Sequence, residues 1–137
     1  MRISSRCEYG VRALVYLAAR AGCGPVPLSE ISAGEAIPGP FLERILARLR
    51  ENGIVRATRG ASGGYELARP AAEIAVGEVV TALEGPLSLV GCLPDDNACA
   101  RAEGCASKMV WHRLDRAINE ALDAITLEDL AREAVPR

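Results

Sequence analysis

Three cysteines, Cys92, Cys99 and Cys105, stand within fourteen residues, with six residues between the first two and five between the last two. The segment carrying them is rich in Gly, Pro, Asp and Asn. No helical or strand period puts all three on one buried face, so core packing does not account for them. A chain with such a segment must fold so that something collects the thiols. The gaps are too long for the paired C-x-x-C knuckles of structural zinc. An iron–sulfur cluster, wider than a single ion, suits irregular five- and six-residue gaps better. Cys7 and Cys23 bring the count to five. An odd number of thiols argues for metal or redox chemistry in a reducing compartment rather than a disulfide framework.

At 137 residues, half of them hydrophobic, the chain is long enough to bury a core without disulfides. Its five aromatic residues are Tyr9, Tyr16, Phe41, Tyr65 and Trp111, so the core is built mainly from Leu, Val, Ile and Ala, which favours helices. No apolar run approaches a membrane span, and Met1-Arg-Ile-Ser-Ser-Arg6 opens no long apolar leader; a cytoplasmic protein without membrane contact is expected. The net charge of −2 conceals a division. Residues 1–70 hold ten Arg and six Glu, or +4, whereas residues 71–137 hold five Arg and one Lys against twelve acidic residues, or −6. The basic half is the one suited to a phosphate-bearing partner.

That half reads as three helices and a hairpin. Ser5-Arg-Cys-Glu8 has the form of a capping box ahead of an apolar stripe, Val11, Leu14, Val15 and Ala18, which predicts a first helix from about Ser5 to Ala21. Gly22, Gly24, Pro25 and Pro27 break it. A short second helix opens at Leu28 and ends near Gly34, and a tight connection, Ala36-Ile-Pro38, leads to a third from Pro40 to Glu51. The third helix turns Leu42, Ile45, Leu46 and Leu49 inward and leaves Glu43, Arg44, Ala47 and Arg48 outside. Ile54–Ala57 and Tyr65–Leu67 then read as strands joined by the glycine-rich run Thr58–Gly64.

Two helices at a tight turn followed by such a hairpin predict a winged helix-turn-helix binding double-stranded DNA, in a mostly α fold with a small β wing. The candidate DNA contacts are Ser29, Pro38, Pro40, Glu43, Arg44 and Arg48 on the helix pair, and Arg59, Ser62, Gly63, Gly64 and Tyr65 on the wing. Exposed Arg and Glu on a helix are most often a solvated face of paired charges, and it is the Arg-, Ser- and Gly-rich hairpin tip that tilts the reading toward phosphate.

Beyond Pro70, Val76–Glu84 predicts a fourth helix ended by Gly85-Pro86. The cysteine segment follows. Ser107 then caps a long fifth helix with Trp111, Leu114, Ile118, Leu122 and Ile125 on one stripe, and Thr126-Leu-Glu-Asp129 caps a last short one. The stripe could pack on the N-terminal unit. Helix one already covers that unit, however, so a two-fold homodimer presenting two reading heads to a palindromic site is the favoured reading. The organisation expected is a DNA-binding domain over 1–70, a connecting helix over 71–86, a cluster-binding loop over 87–106, and a dimerisation helix with tail over 107–137.

Several stretches together resemble a known family. They are Arg2-Ile3 leading into Tyr9–Ala18, Ile37-Pro38, Phe41–Leu46, the wing Ser62–Pro70, Leu83–Pro86 and the three cysteines. They are similar to the IscR/NsrR family of bacterial winged-helix regulators, and the likeness spans nearly the whole chain. It implies a homodimeric transcription factor, often a repressor, with an iron–sulfur cluster on Cys92, Cys99 and Cys105 that senses nitric oxide, redox or iron status. In the branch that regulates cluster assembly, a histidine lies three residues after the last cysteine. Here that position is Lys108, which cannot ligate while protonated. In the nitric-oxide-responsive branch an acidic residue near the start of helix one, from the other subunit, completes the site, and the matching residue is Glu8. The resemblance thus favours Glu8 as fourth ligand and a 4Fe-4S cluster over a 2Fe-2S one.

Cys7, beside Glu8, is a further ligand candidate. His112 on helix five, Asp95 and Asp96 in the loop and Cys23 in its turn read as incidental. Three other readings stay open: a cluster-free regulator that switches by thiol oxidation or binds a partner protein, a zinc-stabilised DNA-binding domain, and an enzyme or electron carrier. The last is the weakest, because no nucleophile–base pair or phosphate loop is present.

Overall fold

In the computed structural model, residues 2–86 and 105–134 are described. They form six α-helices, α1 (Ser5–Ala18), α2 (Leu28–Glu35), α3 (Gly39–Glu51), α4 (Val76–Glu84), α5 (Lys108–Asp123) and α6 (Leu127–Glu133), and a hairpin of β1 (Val55–Thr58) and β2 (Gly64–Leu67). A single 3-10 turn, Ala71–Glu73, connects the hairpin to α4. Each expected helix and strand is present, α4 with the expected bounds and the others with ends that differ by no more than three residues.

The first shift changes a residue's role. Ser4, not Ser5, is the N-cap of α1, its Oγ accepting from the Cys7 backbone N–H at 3.1 Å. The position that would return the capping bond therefore falls on Cys7, and Glu8 is not part of a capping box. Helix α1 also stops at Ala18 rather than Ala21, because the chain turns over at Arg20 and Ala21 before Gly22 and Gly24, both at positive φ.

One core runs through the molecule. Ala13, Leu14, Tyr16 and Leu17 of α1 pack with Ile31, Ile37, the inward face of α3 (Leu42, Ile45, Leu46, Leu49), Ile54 and Val55. Ile74, Val79, Ala82 and Leu83 around α4, and Leu127 of α6, belong to the same cluster. The chain end is tied back by a short antiparallel bridge, Ala75 against Thr126, with Val76 N donating to Ile125 O at 2.8 Å and Leu127 N to Ile74 O at 2.9 Å. A smaller cluster, Cys7 with Val76 and Val80, sits beside it.

Helix α5 lies outside this core, and none of its residues is buried. Met109 (64% exposed), Leu114 (45%) and Trp111 (38%) present an open apolar face, while Leu122 leans on the smaller cluster. Ile125, expected on this helix, lies beyond it, since α5 ends at Asp123 and Ala124 caps it. Ser107 holds the N-cap position, yet its hydroxyl makes no capping bond.

Candidate functional site

The reading head is assembled at the α2–α3 turn. Helix α2 ends on Ala36 in the left-handed region (φ 53°), and Ser32 Oγ donates to Ile37 O at 2.5 Å while Ile37 N returns to Ser32 O at 3.1 Å. These bonds drive the Ile37 side chain into the core and swing α3 outward. Pro38 at the N-cap and Pro40 in the first turn cost nothing there, because the first-turn N–H groups have no intrahelical partner.

Helix α3 buries Leu42, Ile45, Leu46 and Leu49, and exposes Pro40, Glu43, Arg44, Ala47 and Arg48. Its orientation is held from α1 by an edge-on stack of Tyr9 on Phe41 (centroids 5.6 Å, 84°). Arg12 lies 5.4 Å over Tyr9, pairs with Glu35 Oε2 at 3.4 Å and donates to Glu35 O, which anchors the end of α2. Arg44 stands 6.0 Å over the Phe41 ring, so its guanidinium is steered before any ligand arrives.

The wing is a four-residue ladder with Arg56 opposite Glu66, their side chains paired at 3.0 Å. Its second strand is bridged to Val26, with Tyr65 N and O each bonded to Val26 at 2.8 Å. Tyr65, expected as a DNA contact, is half-buried in that bridge. Arg59 and Ser62 are exposed at the tip. Gly63 and Gly64 have a packing reason of their own: a Cβ would meet the Thr58 backbone at Gly63 and the Val26 backbone at Gly64, which also sits at φ 153°.

Pairing sorts the arginines of the basic half. Arg12, Arg20, Arg56 and Arg69 are bound to Glu35, Glu30, Glu66 and Glu78 respectively. Among the described residues no carboxylate pairs with Arg44, Arg48, Arg50 or Arg59, all exposed and on α3 or the wing, nor with the exposed Arg2 and Arg6 ahead of and within α1. None of the four on α3 and the wing is neutralised by a carboxylate among the described residues, as a phosphate-binding face requires, although Arg48 also donates to Ala82 O at 3.0 Å. Arg50, in the last turn of α3, was not among the residues singled out from sequence, because its step along the helix sets it off the Arg44 side. Ser29 and Pro38 are exposed beside this face.

The thiols divide by environment. Cys7 is 1% exposed and packs on Val76 and Val80; burial, with Glu84 close by and Arg6 opposing, pushes its thiol above the usual range. It is a core residue of α1. Cys23 is exposed. Cys105 is half-exposed just ahead of α5, with its Sγ 3.1 Å from Ser107 Oγ. Cys92 and Cys99 lie outside the described residues, as do Asp95 and Asp96, and among the described residues no three Cys, His, Asp or Glu side chains converge on a metal site. Glu8 is exposed on α1, and among the described residues its carboxylate has no partner. A cysteine thiolate such as that of Cys105 is the donor type that holds iron–sulfur clusters.

A tight helix pair, a hairpin wing beside it and unpaired guanidiniums on both define a winged helix-turn-helix transcriptional regulator. The chain belongs to the Rrf2 family, described as an iron-dependent transcriptional regulator, whose profile matches residues 3–133. It is 38% identical over 130 residues to the HTH-type transcriptional regulator IscR of Serratia proteamaculans, covering 95% of this chain and 79% of that protein. Among solved structures it resembles CymR (YrzC), the global cysteine regulator of B. subtilis, with a TM-score of 0.85, 36% identity, and 98% and 99% of the two chains covered. It also resembles T. potens IscR, with a TM-score of 0.80, 36% identity, and 98% and 89% coverage. These relatives are regulators, not enzymes. Among the described residues no helix is long and apolar enough to cross a membrane.

Proposed function

We propose that this regulator, as a homodimer joined through α5, binds a double-stranded operator with α3 and the wing, and that an iron–sulfur cluster on Cys92, Cys99 and Cys105 sets its affinity. Glu8 of the partner subunit completes the site, and a 4Fe-4S cluster is favoured over a 2Fe-2S one. The observation that supports this most is the contrast between Cys105 and Cys7. Cys7 is consumed by the core, whereas Cys105 is half-exposed just ahead of α5, whose apolar residues Met109, Trp111 and Leu114 are exposed. A ligand shared there by three thiolates and a carboxylate from a second copy would join cofactor and dimer in one place.

A bound cluster would supply iron reactive toward nitric oxide and oxidants, with the Glu8 carboxylate, a hard donor, the ligand most readily given up. The protein's part is positional. Thiolates of Cys92, Cys99 and Cys105 would hold the group, and Glu8 would tie α1 of one subunit to the other subunit's cysteines. Glu8 lies next to Tyr9, whose ring braces Phe41 of α3, so a pull on α1 is felt at the reading helix.

Anaerobically purified protein is expected to carry iron and acid-labile sulfide, with a visible absorption band. Operator binding by this form is compared with binding by Cys99→Ala; equal affinities end the proposal. The likeness to CymR favours one second reading, in which the same thiols act without metal. Iron-free, colourless protein whose operator affinity falls on mild peroxide treatment would select it.

A further inference from the structure

Arg48 does not simply extend into solvent. Its Nε–H donates to the carbonyl oxygen of Ala82 at 3.0 Å, so the guanidinium of the reading helix caps the last turn of α4. The final four carbonyls of a helix have no intrahelical partner. In α4, Thr81 O is taken by Gly85 N at 2.9 Å, and Ala82 O is taken by Arg48. A cation at a helix C-terminus also opposes the negative end of the helix dipole, and a charged donor makes the stronger hydrogen bond.

The other end of the same side chain is open. Among the described residues neither Nη nitrogen of Arg48 has a partner, and the residue is exposed on the flank of α3. Arg48 is fixed from behind as well, since Asn52 donates to its carbonyl oxygen both from Nδ2 at 2.8 Å and from the backbone N–H at 3.2 Å. Helix α4 ends at Glu84, three residues before residue 87, where the segment carrying Cys92 and Cys99 begins. One guanidinium thus touches the helix that leads into the thiol segment and reaches the face that meets DNA.

We propose that Arg48 is a positioning residue that couples the thiol segment to the operator. Its Nε–H registers the end of α4, its Nη groups contact a backbone phosphate, and a shift of the α4 terminus moves that contact. This rests on the cluster reading above and names the link by which that site reaches DNA. Arg44 makes no such bond and belongs to DNA contact alone.

The test measures operator affinity for anaerobically reconstituted and cluster-free protein in wild type, Arg48→Ala, Arg48→Gln and Arg44→Ala. Couplings between sites commonly amount to about 5- to 150-fold in affinity, and the ratio between the two wild-type forms is expected in that range. Arg48→Ala brings the ratio close to one. Arg48→Gln, which keeps an N–H donor without the charge, loses affinity in both forms but retains most of the ratio. Arg44→Ala lowers both affinities and leaves the ratio intact. Hydrogen exchange of the amides at residues 81–85 in cluster-free protein is faster in Arg48→Ala than in wild type, a change that loss of a phosphate contact alone does not produce. A responsive wild type with an equally responsive Arg48→Ala and unchanged exchange overturns the inference while leaving the cluster reading standing. A wild type whose two forms bind alike overturns both.

Discussion

Arg44, Arg48 and Arg56 look alike in sequence and do three different things in the fold. Arg56 is spent on Glu66 across the hairpin, Arg48 is half spent on Ala82 O, and Arg44 is poised over Phe41 with its charge free. The cysteines separate as sharply. Thiol reactivity needs access and thiolate character, and Cys7 lacks access while Cys23 has it. Treatment of native, cluster-free protein with iodoacetamide is therefore expected to modify Cys23 well before Cys7, with peptide mass mapping as the readout. Equal rates would mean that α1 is not packed on Val76 and Val80. Neither distinction was legible in sequence, because both depend on what another element places opposite the side chain.

The elements carry their own signals. The α2–α3 turn forces Ala36 to φ 53°, a conformation that costs an L-residue about 1–2 kcal/mol, whereas glycine gives up part of that gain through its freer unfolded chain. Ala36 is exposed, so Ala36→Gly sacrifices no packing and is expected to stabilise the protein by about 0.5–1 kcal/mol in denaturant unfolding. Helix α6 has a complete capping box: Asp129 N donates to Thr126 Oγ1 at 3.1 Å and Thr126 N to Asp129 Oδ2 at 3.0 Å. The bond from the Thr126 backbone holds the Asp129 carboxyl below its usual range, with the Thr126 hydroxyl adding to it. A depressed carboxyl stabilises the fold above its unfolded pKa of about 3.9 and ceases to do so as pH falls through the folded value. Wild type is thus expected to exceed Asp129→Ala in thermal stability at pH 7, with the gap closing below pH 4; a gap constant with pH would assign the effect to helix propensity instead. This box was visible in sequence as Thr-x-x-Asp. The one read at Ser5 does not form, since Ser4 caps α1 one residue earlier, its hydroxyl also donating to Glu84.

For the molecule as a whole, the main core from α1 to Leu127 takes in no residue of α5 among the described residues. An exposed run of Met109, Val110, Trp111 and Leu114 is the surface that a second copy would bury under the proposed dimer. Leu114→Glu is expected to give a monomer by sedimentation with its secondary structure intact, because Leu114 belongs to neither buried cluster among the described residues. Trp111, the sole tryptophan, should shift its emission to the red in the same variant. A variant that stays dimeric would place the interface elsewhere.

Hydrophobic period, turn residues and cap motifs act over a few neighbours, which is why helix order, the wing, the inward face of α3 and the family likeness could be read from the amino-acid order alone. Partners distant in the chain obey no such local rule. Only the folded arrangement decided that Arg48 reaches Ala82, that Cys7 is buried while Cys105 is half-open, that Gly63 and Gly64 serve packing against Thr58 and Val26, and that Ile125 leaves α5 to join the bridge to Ala75 and Val76. Each of those outcomes is set by which backbone groups and side chains remain unsatisfied once the core has closed, a quantity that exists only in three dimensions.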